Sequence, residues 1–376
     1  MTISEASLHC NLASNGFDQR NGGACCFIKR EKKSDPYWKH TPKSYMHDPF
    51  IQEVRQALDR GEQHWACETC WQDENNGKQS KRQHSNIALK SASDGELTHL
   101  SIMTGNKCNL ACRTCGSHSS TGWYKEHLYV RKQKPNMPGF AHNPPIKEFN
   151  DNINVPLDKL QRIEVLGGEP FYEQEHLKFI ERVCREADPS CITLFYSTNG
   201  TKKIDPEIEK MFSKFKQIDI SFSIDAVGKK FEYIRTLGKW DQVEDTIAYW
   251  KKQSNVYIKN HATISILNML YMKELWDYFI DKQNFMDSQM GYTYALFPPT
   301  YNFSIISHDK RHRNWDYIMD NMQFGQHTES IRNYFKNTDF NDNNFEFFKK
   351  QINYTKEFRK LDIENYLPEL CRVLEL

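Results

Sequence analysis

Gln217-Ile218-Asp219-Ile220-Ser221-Phe222-Ser223-Ile224 is an alternating run in which Ile218, Ile220, Phe222 and Ile224 share one face of an extended chain and Asp219, Ser221 and Ser223 share the other. The pattern recurs outward from it. Upstream, His99 and Ser101 give polar positions to a strand expected over 97–103, and Arg162 and Glu164 to one over 162–166. Downstream, His261, Thr263 and Ser265 share one parity of 257–267. With 191–196, 217–224 and 292–297, six strands are expected. Amphipathic helices fill the gaps, at 175–187, 206–215, 240–253 and 272–282. Strands separated by helices argue for βα units in a parallel sheet or barrel. Parallel strands covered on both faces are near-continuous apolar runs, so alternation points to an incomplete barrel with a polar lumen. An antiparallel sheet with one wet face is the alternative, and the intervening helices weigh against it. Glu164, Asp219 and His261 are the expected lumen residues, with Ser223 and Ser265 nearer the mouth. Arg162 or His261 is expected beside the carboxylates, because an unpaired buried charge is costly.

The chain of 376 residues carries 50 basic and 49 acidic residues, a formal charge of +1. Nothing in that balance supplies a field to hold nucleic acid. No run reaches the ~20 apolar residues of a bilayer-spanning helix, and the start, Met1-Thr2-Ile3-Ser4-Glu5, has no leader pattern, so the cytoplasm is expected. Residues up to about 92 are poor in apolar side chains. One helix is expected there, after Asp48-Pro49, with Phe50, Ile51, Val54, Ala57 and Leu58 on one face and Gly61 as its stop. Bound metal is one way to stabilise so small a core.

Eleven cysteines in a chain without a leader read as metal or cluster ligands rather than as a disulfide framework. Cys184, Cys191 and Cys371 are scattered and expected to be small packing residues. Cys108, Cys112 and Cys115 form a CxxxCxxC loop directly after the first expected strand, where a barrel keeps its active face. Three such thiolates can hold three irons of a cubane cluster and leave the fourth open. Zinc on Cys3His, with His118 as fourth ligand, is the alternative. Cys10, Cys25, Cys26 and the CxxC of Cys67 and Cys70 precede the barrel, and four of these five can close a second site, with a zinc ribbon as its alternative.

The triplet, its place after a strand, GGEP at 167–170, STNG at 197–200 and SIDA at 223–226 together resemble the radical S-adenosylmethionine (SAM) superfamily over about residues 97–297. The text after Cys115, with Trp123, resembles the subgroup carrying a twitch or SPASM-like auxiliary iron–sulfur domain. The resemblance implies an α/β fold, a partial (β/α)6 barrel, with a 4Fe-4S cluster on Cys108, Cys112 and Cys115 that binds SAM. It implies contacts to SAM from Gly167, Gly168 and Glu169 at the amino group, Ser223 at the ribose or carboxylate, Ser197, Asn199 and Asn268 nearby, and Arg235 at the carboxylate. Thr114 stands where the family usually has an aromatic residue. The early cysteines resemble an auxiliary 4Fe-4S site, implying Cys10, Cys25, Cys67 and Cys70 as ligands with Cys26 as alternate. Here that site precedes the barrel, whereas the domains it resembles follow it.

Three parts are therefore expected: residues 1–92, a Cys-rich auxiliary-cluster domain; 93–297, the barrel; and 298–376, a helical extension. The implied activity is reductive cleavage of SAM to a 5′-deoxyadenosyl radical and hydrogen-atom abstraction from a polar substrate. A peptide or protein side chain is preferred to a small sugar-like or nucleotide metabolite, with a flavodoxin- or ferredoxin-type electron donor and neither membrane nor nucleic acid as partner. A non-catalytic zinc-binding interaction protein is the reading from another class. The basic run Lys29, Arg30, Lys32, Lys33, Lys39 and Lys43, interleaved with Tyr37 and Trp38, is expected to be a solvated loop.

Overall fold

The computed structural model describes residues 8–30, 40–75, 79–90, 92–93, 96–133, 143–296 and 298–376. Strands form at all six expected places: β2 (His99–Met103), β3 (Arg162–Leu166), β4 (Thr193–Thr198), β5 (Gln217–Phe222), β6 (Val256–Ile264) and β7 (Met290–Tyr294). A seventh, β1 (Gly16–Asp18), comes from the Cys-rich region and pairs with β2. All pairings are parallel and the order is β1 to β7, a curled half-barrel sheet of seven strands. The (β/α)6 count was one strand short because Gly-Phe-Asp is too brief to alternate. Pairing with β2 makes it a strand.

Alternation decides what each face meets. Leu100, Ile102, Ile163, Val165, Leu194, Tyr196, Ile218, Ile220 and Phe222 are buried on the outer face. Against them pack the helices His176–Glu186, through Phe179, Ile180 and Val183, and Trp240–Trp250, through Val243, Ile247 and Trp250. Tyr196 is the centre of an aromatic group, 4.8 Å from Phe171 and 5.2 Å from Phe212, centroid to centroid. The opposite parity is mostly polar, with Phe195 among it, and faces the open lumen.

The N-terminal region shares this core. Phe17 on β1 is fully buried beside Tyr45, 5.9 Å between rings. The expected helix runs Pro49–Asp59, capped by the Asp48 side chain on the Phe50 amide and stopped where Gly61 turns left-handed at φ +75°. Its Arg55, buried, donates to the carbonyls of Ala13, Ser14 and Met46 and so ties the helix to the segment before β1. Beyond β7, Tyr334 of the helix Thr328–Lys336 stacks on Tyr294 at 3.7 Å, covering the far edge. No helix among the described residues is long and apolar enough to cross a membrane.

Candidate functional site

The loop after β2 is fixed at several backbone groups. The amides of Ala111 and Arg113 donate to the carbonyls of Thr236 and Ile234, the Trp123 indole donates to the Cys112 carbonyl at 3.1 Å, and the Ser120 hydroxyl donates to the Leu110 carbonyl. Arg113 has no exposed surface; it donates to the Tyr233 carbonyl and to Thr355, and its guanidinium lies 3.7 Å from the Tyr233 ring centroid. Thr355 belongs to the long helix Asp342–Arg359, whose last residue completes the cage. Arg359 bonds the Ala111 carbonyl at 2.9 Å, Thr236 at 2.6 Å and the buried carboxylate of Glu126 at 2.6 Å. Its guanidinium lies 4.5 Å from the Trp123 centroid.

Within this frame Cys108, Cys112 and Cys115 pack around Leu110. Burial pushes the Cys108 and Cys115 thiols up to about 12 and raises Cys112 as well. Such thiols stay protonated at neutral pH until a metal displaces the proton. Arg235 Nη1 lies 3.8 Å from Cys112 Sγ, and Asn199 Nδ2 lies 3.9 Å from Cys108 Sγ. Among the described residues no three His, Cys, Asp or Glu side chains converge as ligands on one ion. Three buried or half-buried thiolates are a donor set that suits a cubane cluster, in which each holds its own iron and the fourth iron is left open. His118 is exposed on the same loop.

The strand-end motifs surround the loop. The amides of Gly168 and Glu169 donate to the carbonyls of Gly105 and Lys107, zipping GGEP to the start of the cysteine loop. Glu169 is buried and accepts from Thr198 Oγ1, the Asn199 amide and the Phe171 amide, so its carboxylate joins GGEP to STNG. Asn199 spans from there to Asn109, 2.9 Å away. Ser197 and Ser223 stand 3.4 Å apart at the lumen rim. Arg235 pairs with Asp225 at 2.8 Å, and Asn268, fully buried, binds Ser265, Thr263 and Asp225 backbone. The resemblance implies a ligand beside these residues; in the structure Glu169, Asn268 and Arg235 hold the motifs to one another. Thr104 Oγ1, buried beside Gly167, has no hydrogen-bond partner among the described residues.

Deeper in the lumen, Glu164 meets Ser101 at 3.2 Å, Arg162 at 3.3 Å, His99 at 3.4 Å and Lys81 at 3.8 Å. Burial alone would raise its carboxyl, but His99, Lys81 and Arg162 together hold it well below the usual range. Arg162 also bridges Asp219 at 2.9 Å. His261, exposed, faces the open side, its ring over Gly291. Lys81 was not singled out in the sequence, nor were Arg113 and Arg359, since a lone basic residue on a helix or loop carries no local signal of its distant partner.

Four early cysteines, Cys10, Cys25, Cys67 and Cys70, line one small apolar-walled cavity together with Lys81 and Arg82. Burial raises all four thiols, Cys67 to about 12. Cys26, next to Cys25, does not line it. The segment bearing Cys10 is pinned on both sides by Asn86, which donates to the His9 carbonyl and accepts from the Asn11 amide. Arg82 grips Glu74 through Nε at 3.0 Å and Nη2 at 2.8 Å, fastening the helix Glu68–Asn75, with Cys70, to Lys81–Ala88. Of the basic run, Lys29 pairs with Glu68 and Arg30 with Asp48, while Lys32, Lys33, Tyr37, Trp38 and Lys39 lie outside the described residues. Of the scattered cysteines, Cys371 is buried and Cys184 half-buried, but Cys191 is exposed.

Residues 102–279 match the family model described as the Radical SAM superfamily. A curated relative, the radical SAM cyclopropyl synthase TigE of Paramaledivibacter caminithermalis, is 24% identical over 233 residues, 59% of this chain and 47% of that protein. The chain thus spans about half the length of that relative. Among solved structures, native anSMEcpe with bound AdoMet aligns at 15% identity over 65% of this chain and 62% of that one, with a TM-score of 0.37. SuiB of Streptococcus suis bound to S-adenosylmethionine aligns at 14% identity over 78% and 52%, with a TM-score of 0.35.

Proposed function

We propose that this protein, whose assignment to the radical SAM superfamily is supported by the family model over residues 102–279 and by the curated relative, is an enzyme that abstracts a hydrogen atom from a polar substrate in its half-barrel lumen. Cys108, Cys112 and Cys115 would hold a 4Fe-4S cluster, and Gly167, Gly168, Ser197, Asn199 and Ser223 ring the place for SAM. When bound there, the pair supplies a 5′-deoxyadenosyl radical on one-electron reduction. The chain does the rest: Arg235 and Asn199 set polar groups against the thiolates, the Arg359 cage keeps water from the loop, and the lumen residues receive the substrate. The observation that carries this reading is the convergence of the buried triplet with GGEP and STNG at the strand ends.

The shared cavity of Cys10, Cys25, Cys67 and Cys70 supports a second, auxiliary 4Fe-4S cluster. A flavodoxin- or ferredoxin-type protein is the proposed electron donor. A peptide or protein side chain is preferred as substrate, because the lumen stays open at His261 and Tyr257, where an extended chain has room. A small sugar-like or nucleotide metabolite is the second reading.

Anaerobic purification tests the proposal. A brown protein absorbing near ~400 nm with roughly seven to eight irons per chain, forming 5′-deoxyadenosine with dithionite and SAM, is expected. Replacing Cys108, Cys112 and Cys115 together by Ala should abolish that product and remove about half the iron, since the two ligand sets are separate. A colourless protein holding two zincs and no iron after reconstitution would return the chain to a zinc-binding interaction protein.

A further inference from the structure

The carboxylates of the lumen each have a cation from the chain itself. Arg20 pairs with Asp18, Arg162 with Asp219 and Glu164, His99 and Lys81 with Glu164, and Arg235 with Asp225. Among the described residues of the lumen, one lysine is left over. Lys259 lies on β6 in the parity of Tyr257 and His261, opposite Ser221 of β5 and below the strand ends that carry STNG and SIDA. Among the described residues no ion pair or hydrogen bond holds its ammonium; Nζ sits 5.0 Å from the Phe195 ring centroid. The Arg162 guanidinium lies 5.2 Å from that same centroid, so two cations share one ring.

A half-buried ammonium beside a second cation and without its own counterion costs free energy. Burial first, then Arg162, push its pKa down, and His84 and His261 add like charge when protonated. Asp219 and Glu164 are near enough to be felt but are already bridged by Arg162. A lysine kept only for solubility would extend into water. This one is turned to an aromatic wall at mid-lumen.

We propose that Lys259 is the docking point for an anionic group of the substrate, a carboxylate or a phosphate, whose attached carbon chain lies against Phe195. The inference rests on the reading of the lumen as the substrate chamber and narrows it to substrates bearing an anion. The ring supplies an apolar contact, Lys259 the charge, and Arg162 a second donor on the same side.

Competitive lysine acetylation tests this on the unaltered full-length protein, reconstituted anaerobically and saturated with SAM. Trace N-hydroxysuccinimidyl acetate is added alone, with N-acetylglutamate α-amide, with inorganic phosphate, or with the neutral N-acetylglutamine α-amide, and each lysine is read by peptide mass spectrometry. An ammonium that gains an anion holds its proton more tightly, and a rise of about one pKa unit slows acylation about tenfold. Saturable protection of Lys259 by the carboxylate or by phosphate, but not by the neutral amide, is expected. Protection by one anion alone names the source, a carboxylic or a phosphorylated substrate. Absence of saturable protection by either anion, or equal protection by the neutral amide, overturns the site. The 5′-deoxyadenosine formed by the same sample separates the two claims: cleavage without protection removes only the anion site, and protection without cleavage removes the enzyme reading.

Discussion

Gly168 leaves no space for a side chain, because a Cβ there would stand 2.2 Å from the Lys107 carbonyl oxygen. Gly168→Ala must therefore push the cysteine loop off the end of β3. Iron per chain should fall by about half, with the early cysteines still loaded, as an iron assay on the purified variant checks. A second residue sets acid sensitivity. His176 is fully buried, bonded to the Glu173 carbonyl at 2.9 Å and to the Tyr196 hydroxyl, and burial lowers its pKa to about 4. Its neutral form is favoured in the fold, so its contribution is complete above about pH 6.5 and is lost as pH falls toward about 4. At about 1.4 kcal/mol per unit, unfolding free energy should drop by about 3 kcal/mol across that window, and His176→Gln should flatten the slope in urea melts at pH 7 and pH 4.5. The glycine pair stood out in the sequence as a motif, but its packing against the Lys107 carbonyl did not, because that contact is made by the fold. The partners of Glu169 and Asn268 were not legible either, since the fold chooses which distant groups a buried side chain bonds.

The helix Asp342–Arg359 and the cysteine loop form one unit through the Arg359–Glu126 pair, whose side chains are 4% and 2% exposed. Breaking a buried pair from one side leaves a charge unpaired, at about 3–5 kcal/mol. Arg359→Met and Glu126→Met should each cost that much, and the double variant less than their sum, in a double-mutant cycle by urea unfolding. Only Arg359→Met should also free the Ala111 carbonyl and broaden the electron paramagnetic resonance of the reduced triplet cluster; Arg359→Lys should restore part of the signal. On the sheet, Ile220 is fully buried under the helices, and Ile220→Ala should cost about 2–5 kcal/mol by the same melts. Strands were legible because a period of two shows over six residues, as in β5. The clamp was invisible, since nothing local to residues 342–359 names the loop it grips.

At the scale of the molecule, the Cys-rich region adds β1, buries Phe17 and, through Lys81, puts a cation in the lumen. A fragment of residues 93–376 would expose the β2 edge and the apolar side chains that Phe17 and Tyr45 cover, so size-exclusion chromatography should find it aggregated. A monomeric fragment with the full protein's melting point would show that the barrel stands alone. The half-barrel as a class was open to reading from alternation and motif order. How its two ends join it was not, because those contacts span most of the chain. That span has a consequence in time. Glu126 and Arg359 are 233 residues apart. At the usual pace of synthesis, about 5–20 residues per second, roughly 12 to 47 seconds separate the making of the two partners. Through that interval the cysteine loop has its thiols but not its lock, so the final placing of the Ala111 carbonyl and of Glu126 waits on the last long helix.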